Sequence, residues 1–198
     1  MRIYFVRHGQ AENNVKKLVS EKSGKLTPRG ILQARAVGKR FKNIPLDDIL
    51  TSPYERAQET ARIITKYTSC KKKVINKLLV EKKLPKEIER MSKQDKNVQK
   101  VLLLLERKNE TDPFWHYSDE ENFQDVRRRA KLFIKSISIL KRKNIMVVAH
   151  EYIIKAILFS LMSRKSGYRV FKKFYHTTKI ENGAVIVWRP KRGIIIGG

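Results

Sequence analysis

The stretch Ile3-Tyr4-Phe5-Val6-Arg7-His8-Gly9 decides how this chain reads. A short, uninterrupted apolar run suits a strand buried on both faces, and here it stops at an imidazole flanked by a fixed cation. A second apolar run, Ile145 to Ala149, also ends in a histidine, His150. Between the two, Ser52-Pro53 follows a third short apolar stretch and opens a helix that carries Arg56. In open α/β sheets, ligands gather beyond the carboxyl ends of the strands, where loops and helix N-termini offer unpaired N–H groups. If the three strands are parallel neighbours, His8, Arg56 and His150 meet in one crevice. They would then supply a nucleophile, an arginine clamp and a second imidazole, the set that phosphoryl transfer through a phosphohistidine requires.

Outward from that stretch, strand-like and helix-like segments alternate, which predicts an α/β fold with a largely parallel sheet in a single domain, residues 1–198. Residues 2–7 are the first strand. Thr27-Pro28 then opens a helix, with a capping hydroxyl ahead of proline at the first helical position; Ile31, Ala34, Val37 and Phe41 give its apolar face, and it ends near Asn43-Ile44-Pro45. Asp48 to Thr51 is a short strand, Tyr54 to Tyr67 a helix, and Val74-Ile75-Asn76 a weaker strand. Residues 82 to about 120, with Pro85, the apolar run Val101 to Leu105 and Thr111-Asp112-Pro113, form an excursion over the rim of the sheet. From Glu121 a long helix places Phe123, Val126, Ala130, Phe133, Ile137 and Leu140 at helical spacing. Asn144 to Ala149 is a buried strand and Tyr152 to Met162 a buried helix. The Asn182-Gly183 turn signal introduces a final strand ending at Trp188.

Composition excludes several classes. The apolar fraction of 41% is that of an ordinary folded domain, and the apolar stretch 152–162 is too short, and broken by Lys155, to span a bilayer. A single cysteine, Cys70, rules out an internal disulfide and cannot alone build a zinc site; its neighbours Lys71 to Lys73 would make it either an activated or a bystander thiol. The first strand begins at Arg2 with no secretory leader, so a cytoplasmic location is expected. The net charge of +26 is uneven: residues 127–198 hold 18 Lys and Arg against two carboxylates, a field that attracts polyanions without identifying them.

Four segments carry a resemblance: Val6-Arg7-His8-Gly9-Gln10-Ala11-Glu12-Asn13-Asn14, Leu26-Thr27-Pro28-Arg29-Gly30, Thr51-Ser52-Pro53-Tyr54-Glu55-Arg56-Ala57-Gln58-Glu59-Thr60-Ala61, and Val147-Val148-Ala149-His150. In this order and spacing they resemble the histidine phosphatase superfamily, which includes phosphoglycerate mutases, fructose-2,6-bisphosphatases and small broad-specificity phosphatases. The resemblance implies a phosphoglycerate mutase-like three-layer sandwich, with helices on both faces of a mostly parallel sheet. It also implies His8 as nucleophile, Arg7 and Arg56 as the clamp on the phosphoryl oxygens, and His150 as a further donor to them. Guanidinium forks match phosphate geometry and stay charged at any working pH. Asn14 is either the family's extra phosphate ligand or a loop-capping asparagine.

The leaving oxygen needs a proton, and Glu81, after Leu78-Leu79-Val80, resembles the family's general acid; a plain pairing with Lys82 or Lys83 is the other reading. Glu151 departs from the pattern, since many relatives have glycine after the second histidine. It either turns away as a first-turn helix residue or competes with Glu81 as acid. The segment Glu121 to Arg129 resembles a degraded family motif and receives no catalytic role. His116, within Phe114-Trp115-His116-Tyr117, belongs either to a packing cluster or to a lining that selects the leaving group together with Lys82, Lys83 and Lys86.

No metal-ligand spacing occurs, and two arginines and a histidine would already neutralise a phosphoryl group, so neither metal nor other cofactor is expected. The interval Val15 to Lys25 lacks the Gly-Trp-x-Asp segment of the mutases, which favours hydrolysis over mutase-type transfer of the phosphoryl group. The expected partner is a phosphorylated small molecule or phosphoprotein as substrate. A non-catalytic polyanion or nucleic-acid binder is the competing class, with Lys141-Arg142-Lys143, Arg164-Lys165, Lys172-Lys173 and Lys191-Arg192 tracking a backbone, though no aromatic RNA-binding signature accompanies them.

Overall fold

The computed structural model describes residues 1–19, 23–70, 72–163, 167–190 and 193–197, the last five by their backbone alone. The basic pairs Arg164-Lys165 and Lys191-Arg192, residue Lys71 and part of the Val15 to Lys25 interval lie outside the described residues.

Six strands make one sheet: β1 (Arg2–Arg7), β2 (Asp48–Thr51), β3 (Lys73–Ile75), β4 (Asn144–Ala149), β5 (Val185–Arg189) and β6 (Gly193–Gly197), in the spatial order β3-β2-β4-β1-β5-β6. The first four of that order run parallel, while at one edge β5 is antiparallel to β1 and β6 antiparallel to β5. Successive side chains of a strand point to opposite faces, so the central strands supply two cores. Ile3, Phe5, Ile145, Val147 and Ala149 pack on one side, against α5 (Phe123–Ser138) and α6 (Glu151–Met162), with Phe171 of α7 (Tyr168–Thr177). Tyr4, Val6, Met146 and Val148 pack on the other, against α2 (Pro28–Arg40) and α3 (Glu55–Thr65). The result is a three-layer sandwich, and burial on both faces is why β1 and β4 read as unbroken apolar runs.

The helix starts follow their sequence signals. Thr27 caps α2 by accepting from the Gly30 N–H at 3.1 Å, with Pro28 at the first helical position. Asn122 caps α5 in a reciprocal box with Asp125, so the helix starts at Phe123, two residues later than the glutamate at which the helix pattern begins.

Three features differ from the sequence reading. The excursion is largely helical: α4 (Lys96–Thr111) absorbs the run Val101 to Leu105, and Val19, Ile88 and Val98 form a small core of its own with Leu84 and Leu102 packed on it. Helix α7 follows α6, and the strand through Trp188 is followed by β6, so it is not the last one. A short α1 (Glu12–Val15) also turns the chain just after β1. Among the described residues, no helix is long and apolar enough to cross a membrane.

Candidate active site

Strand register assembles the site. Arg7 pairs with Ala149 across β1 and β4, and Thr51 pairs with Val148 across β2 and β4. The next residue of each strand leaves the sheet at the same level: the His8 N–H donates to Ala149 O at 3.0 Å, and the Ser52 N–H donates to Val148 O at 3.0 Å. His8, His150 and Ser52 are thereby neighbours although they are far apart in sequence. The His8 and His150 ring centres lie 5.1 Å apart, and Ser52 Oγ lies 2.8 Å from His150 Nε2.

The tautomer of His8 is set by its two partners. Gly9 O can only accept, so His8 Nδ1, at 2.7 Å from it, carries the proton. Nε2 therefore holds the lone pair, and Arg56 Nε donates to it at 3.2 Å. Burial, then the Arg56 cation and more weakly Arg7, holds the imidazole well below the usual histidine range, against a smaller upward pull from the Gly9 carbonyl. His150 is driven down in the same way, first by burial and then by Arg56 and the neighbouring His8. Both rings are neutral at pH 7. His150 also follows β4 directly and caps α6 with its backbone, and its Nδ1 is buried without a hydrogen-bond partner among the described residues.

The loop that carries His8 is held from three sides. Gly9 donates to Thr60 Oγ1 of α3 at 3.0 Å. Gly9 also lies flat against Gly30 of α2, where a Cβ on either glycine would collide with the facing backbone, of Gly30 and of Gln10 respectively. From β5's side, Asn182 Nδ2 donates to His8 O at 3.0 Å, and the Gly183 N–H donates to Arg7 O at 3.0 Å; Gly183 adopts φ +77°, a conformation suited to glycine. Arg56, 3% exposed in the first turn of α3, lies over the Tyr54 ring, which in turn contacts the His150 ring at 5.0 Å.

The remaining sequence candidates stand around this centre. Arg7 is mostly buried, and its NH1 donates to Ile180 O at 2.5 Å and meets Glu151 Oε2 at 2.9 Å. Glu151 thus faces Arg7 instead of turning away. Asn14 is exposed and closes the first turn of α1: its Oδ1 accepts from the Ala11 N–H at 2.9 Å, and Asn182 links it to the His8 backbone. Glu81 follows the short helical turn Lys77–Leu79. Its Oε1 accepts from the Lys82 N–H at 2.9 Å, and its Oε2 faces the Tyr152 N–H in the first turn of α6 at 3.4 Å. No ion pair ties Glu81 to Lys82 or Lys83 among the described residues: Lys83 pairs with Asp119, and the Lys82 ammonium lies over the Tyr152 ring.

Glu81 lies where two cavities meet. One, of about 790 Å³, is lined by Tyr54, Lys77 and Arg129; the other, of about 350 Å³, is lined by Tyr152, Tyr168, Phe171 and Tyr175. His116 bonds Asp125 at the start of α5, Phe114 is largely exposed, and His176 sits on the surface beside Glu106.

Arg129 has a place that the sequence left without a role. It grips Glu121 through two hydrogen bonds, at 2.8 and 2.7 Å, and donates to the carbonyls of Leu78 and Val80, the segment that leads into Glu81. The signal for it was present as the Glu121 to Arg129 motif. Ser52, Asn182 and the Glu151–Arg7 pair carried no comparable signal, because each is a contact between remote elements.

Chemically, the centre presents a neutral, buried imidazole whose Nε2 lone pair faces Arg56, two guanidinium groups and a second neutral imidazole. Among the described residues, no group of three or more His, Cys, Asp and Glu could hold a metal ion. The family model of the histidine phosphatase superfamily (branch 1) matches residues 3–192. An adenosylcobalamin/alpha-ribazole phosphatase of Salmonella typhi is 26% identical, over 96% of this chain and 100% of its own. Among solved structures, the alpha-ribazole phosphatase of Shigella flexneri superposes with a TM-score of 0.79 at 23% identity, covering 100% of this chain and 95% of that one. The phosphoserine phosphatase of Entamoeba histolytica, in complex with phosphoserine, superposes with a TM-score of 0.75 at 20% identity, covering 100% and 95%.

Proposed function

Because this chain belongs to the histidine phosphatase superfamily (branch 1), we propose that it hydrolyses phosphomonoesters through a phosphohistidine on His8, without a metal ion. The observation that carries the reading is the locked imidazole: a proton held on Nδ1 by Gly9 O, and a lone pair on Nε2 within 3.2 Å of Arg56 Nε. A phosphorus atom brought to Nε2 places its oxygens within reach of the same guanidinium.

Nε2 attacks phosphorus as the bond to the leaving oxygen breaks, and Glu81 acts as the general acid that gives a proton to that oxygen. Arg7, Arg56 and His150 take up the charge on the non-bridging oxygens, with Asn14 offering its amide N–H groups from the rim. Water then attacks the phosphorus while the Glu81 carboxylate accepts its proton. The P–N bond breaks, inorganic phosphate leaves and His8 is restored. The neutral state of His8 suits its role, since an imidazolium has no lone pair with which to attack, and neutral His150 keeps one ring N–H to donate.

The substrate is a phosphorylated small molecule or phosphoprotein, with its alcohol part in the space around Glu81. The alpha-ribazole and phosphoserine phosphatases among the similar proteins differ in what they act on, so the likeness supports the reaction and leaves the alcohol open. The deciding experiment traps the acid-labile phosphoenzyme from a phosphomonoester panel in the presence of a chelator. Wild type should turn over and carry label on His8, and His8→Ala should lose both. Label on another residue, or turnover that needs added metal, refutes the reading.

A further inference from the structure

Helix α6 opens with a carboxylate that the phosphatase cycle does not use. Glu151 stands next to His150, with Oε2 at 2.9 Å from Arg7 NH1 and Oε1 at 2.6 Å from Lys155 Nζ. Lys155, one turn further along α6, is 2% exposed. Its ammonium also donates to Tyr175 O of α7 at 2.9 Å and sits 4.0 Å from the centre of the Tyr175 ring. Arg7 donates through NH1 to Ile180 O as well, while its Nε is buried with no hydrogen-bond partner among the described residues. Three charges therefore form a chain of ion pairs, from the edge of the phosphate site into the core: Arg7 positive, Glu151 negative, Lys155 positive.

A carboxylate beside Arg7 has two opposed effects. It fixes the guanidinium, whose long side chain would otherwise sample several rotamers. It also cancels the cation that must meet a dianion, and it repels that dianion itself. A buried ammonium on the far oxygen counters the second effect and leaves the first intact.

We propose that Glu151 and Lys155 are paired positioning residues for Arg7: the carboxylate orients the guanidinium, and the buried ammonium holds the carboxylate's charge back from the phosphoryl group. This rests on the phosphatase reading of the site.

The two members of the pair then act on phosphate binding in opposite directions, which a merely structural ion pair would not do. In Lys155→Met, Glu151 is left uncompensated, so the KM for nitrophenyl phosphate and the inhibition constant of inorganic phosphate should each rise about ten-fold. In Glu151→Gln the negative charge is gone, so phosphate should inhibit as well as in wild type or better, while kcat falls several-fold as Arg7 loses its fixed orientation. Adding Glu151→Gln to Lys155→Met should recover most of the lost phosphate affinity. If Lys155→Met does not fold, Lys155→Gln keeps a donor for Tyr175 O and carries the same expectation. Weaker phosphate inhibition in both single variants, or no change in either, overturns the pairing. Wild-type protein that neither hydrolyses nitrophenyl phosphate nor is bound by phosphate overturns the phosphatase reading itself, and the pairing with it.

Discussion

The strand ends that hold His8, Arg56 and His150 and the loop segment that holds Glu81 are built by different means. The sheet's own hydrogen bonds fix the backbone of His8 and His150, Arg56 follows β2 in the first turn of α3, and all three residues are at most 3% exposed. Around Glu81 there is no strand. Position there depends on side-chain links: Arg129 to Glu121 and to the carbonyls of Leu78 and Val80, and Lys83 to Asp119. A rigid sheet edge suits the groups that must meet the same phosphoryl oxygens in every substrate. A loop fastened by ion pairs can change with the alcohol, because altering it leaves the sheet intact.

The sharpest test of that division falls on the strand-end side. Arg56→Lys keeps a positive charge in α3 but loses the planar fork, so kcat/KM for nitrophenyl phosphate should fall by about 10²- to 10³-fold, whatever the alcohol. A loss smaller than ten-fold, or one that varies with the leaving group, would erase the distinction between the two regions.

Changes on the loop side should depend on the alcohol. Glu81→Gln should lower turnover of alkyl phosphates by about 10²-fold while sparing nitrophenyl phosphate, whose anion leaves without a proton. Equal loss on both substrates removes Glu81 as the acid. Arg129→Met, two steps from the chemistry, should show the same bias towards poor leaving groups at about ten-fold, together with about 3 kcal/mol of lost stability from the broken, largely buried pair with Glu121. Lost stability without the bias would make Arg129 a fold residue only.

The same contrast decides what could be read from the sequence. β1 and β4 were legible because a strand buried on both faces must be apolar throughout, and the groups beyond them were legible because each follows such a run. Thr27-Pro28 announced α2 by its cap, and the Phe123 to Ile137 spacing announced α5. Helix α4 was hidden because Val101 to Leu105 is apolar without a helical period: Leu105 is buried, yet Leu103 and Leu104 are exposed. Helix α7 does carry helical spacing in Phe171, Phe174 and Tyr175, but basic residues interleave with them and dilute it. β6, Gly193-Ile194-Ile195-Ile196-Gly197, has no alternation to mark it. In the site itself, the residues at strand ends could be placed in advance. Ser52 on His150, Asn182 on the His8 carbonyl and Glu151 between Arg7 and Lys155 could not, since nothing in local spacing records which remote partner a side chain will meet.

The burial that makes the strand ends rigid has a cost in acid, and this is the smallest of the expected effects. Burial first, then Arg56, holds His8 and His150 well below the ordinary histidine range in the folded protein. In the unfolded chain each ring takes up a proton as pH falls through about 6.5. The unfolded state then binds more protons than the folded one, so stability must fall as pH drops below that point, by up to about 1.4 kcal/mol per pH unit for each ring. The decline continues until the folded rings also protonate, well below the usual range. Urea unfolding between pH 7.5 and 5 should show it, and His8→Asn and His150→Asn should each flatten the slope by the share of one ring. Parallel slopes in wild type and both variants would mean that these imidazoles take up protons over the same pH range in the folded protein as in the unfolded chain, and that the fold does not hold His8 neutral.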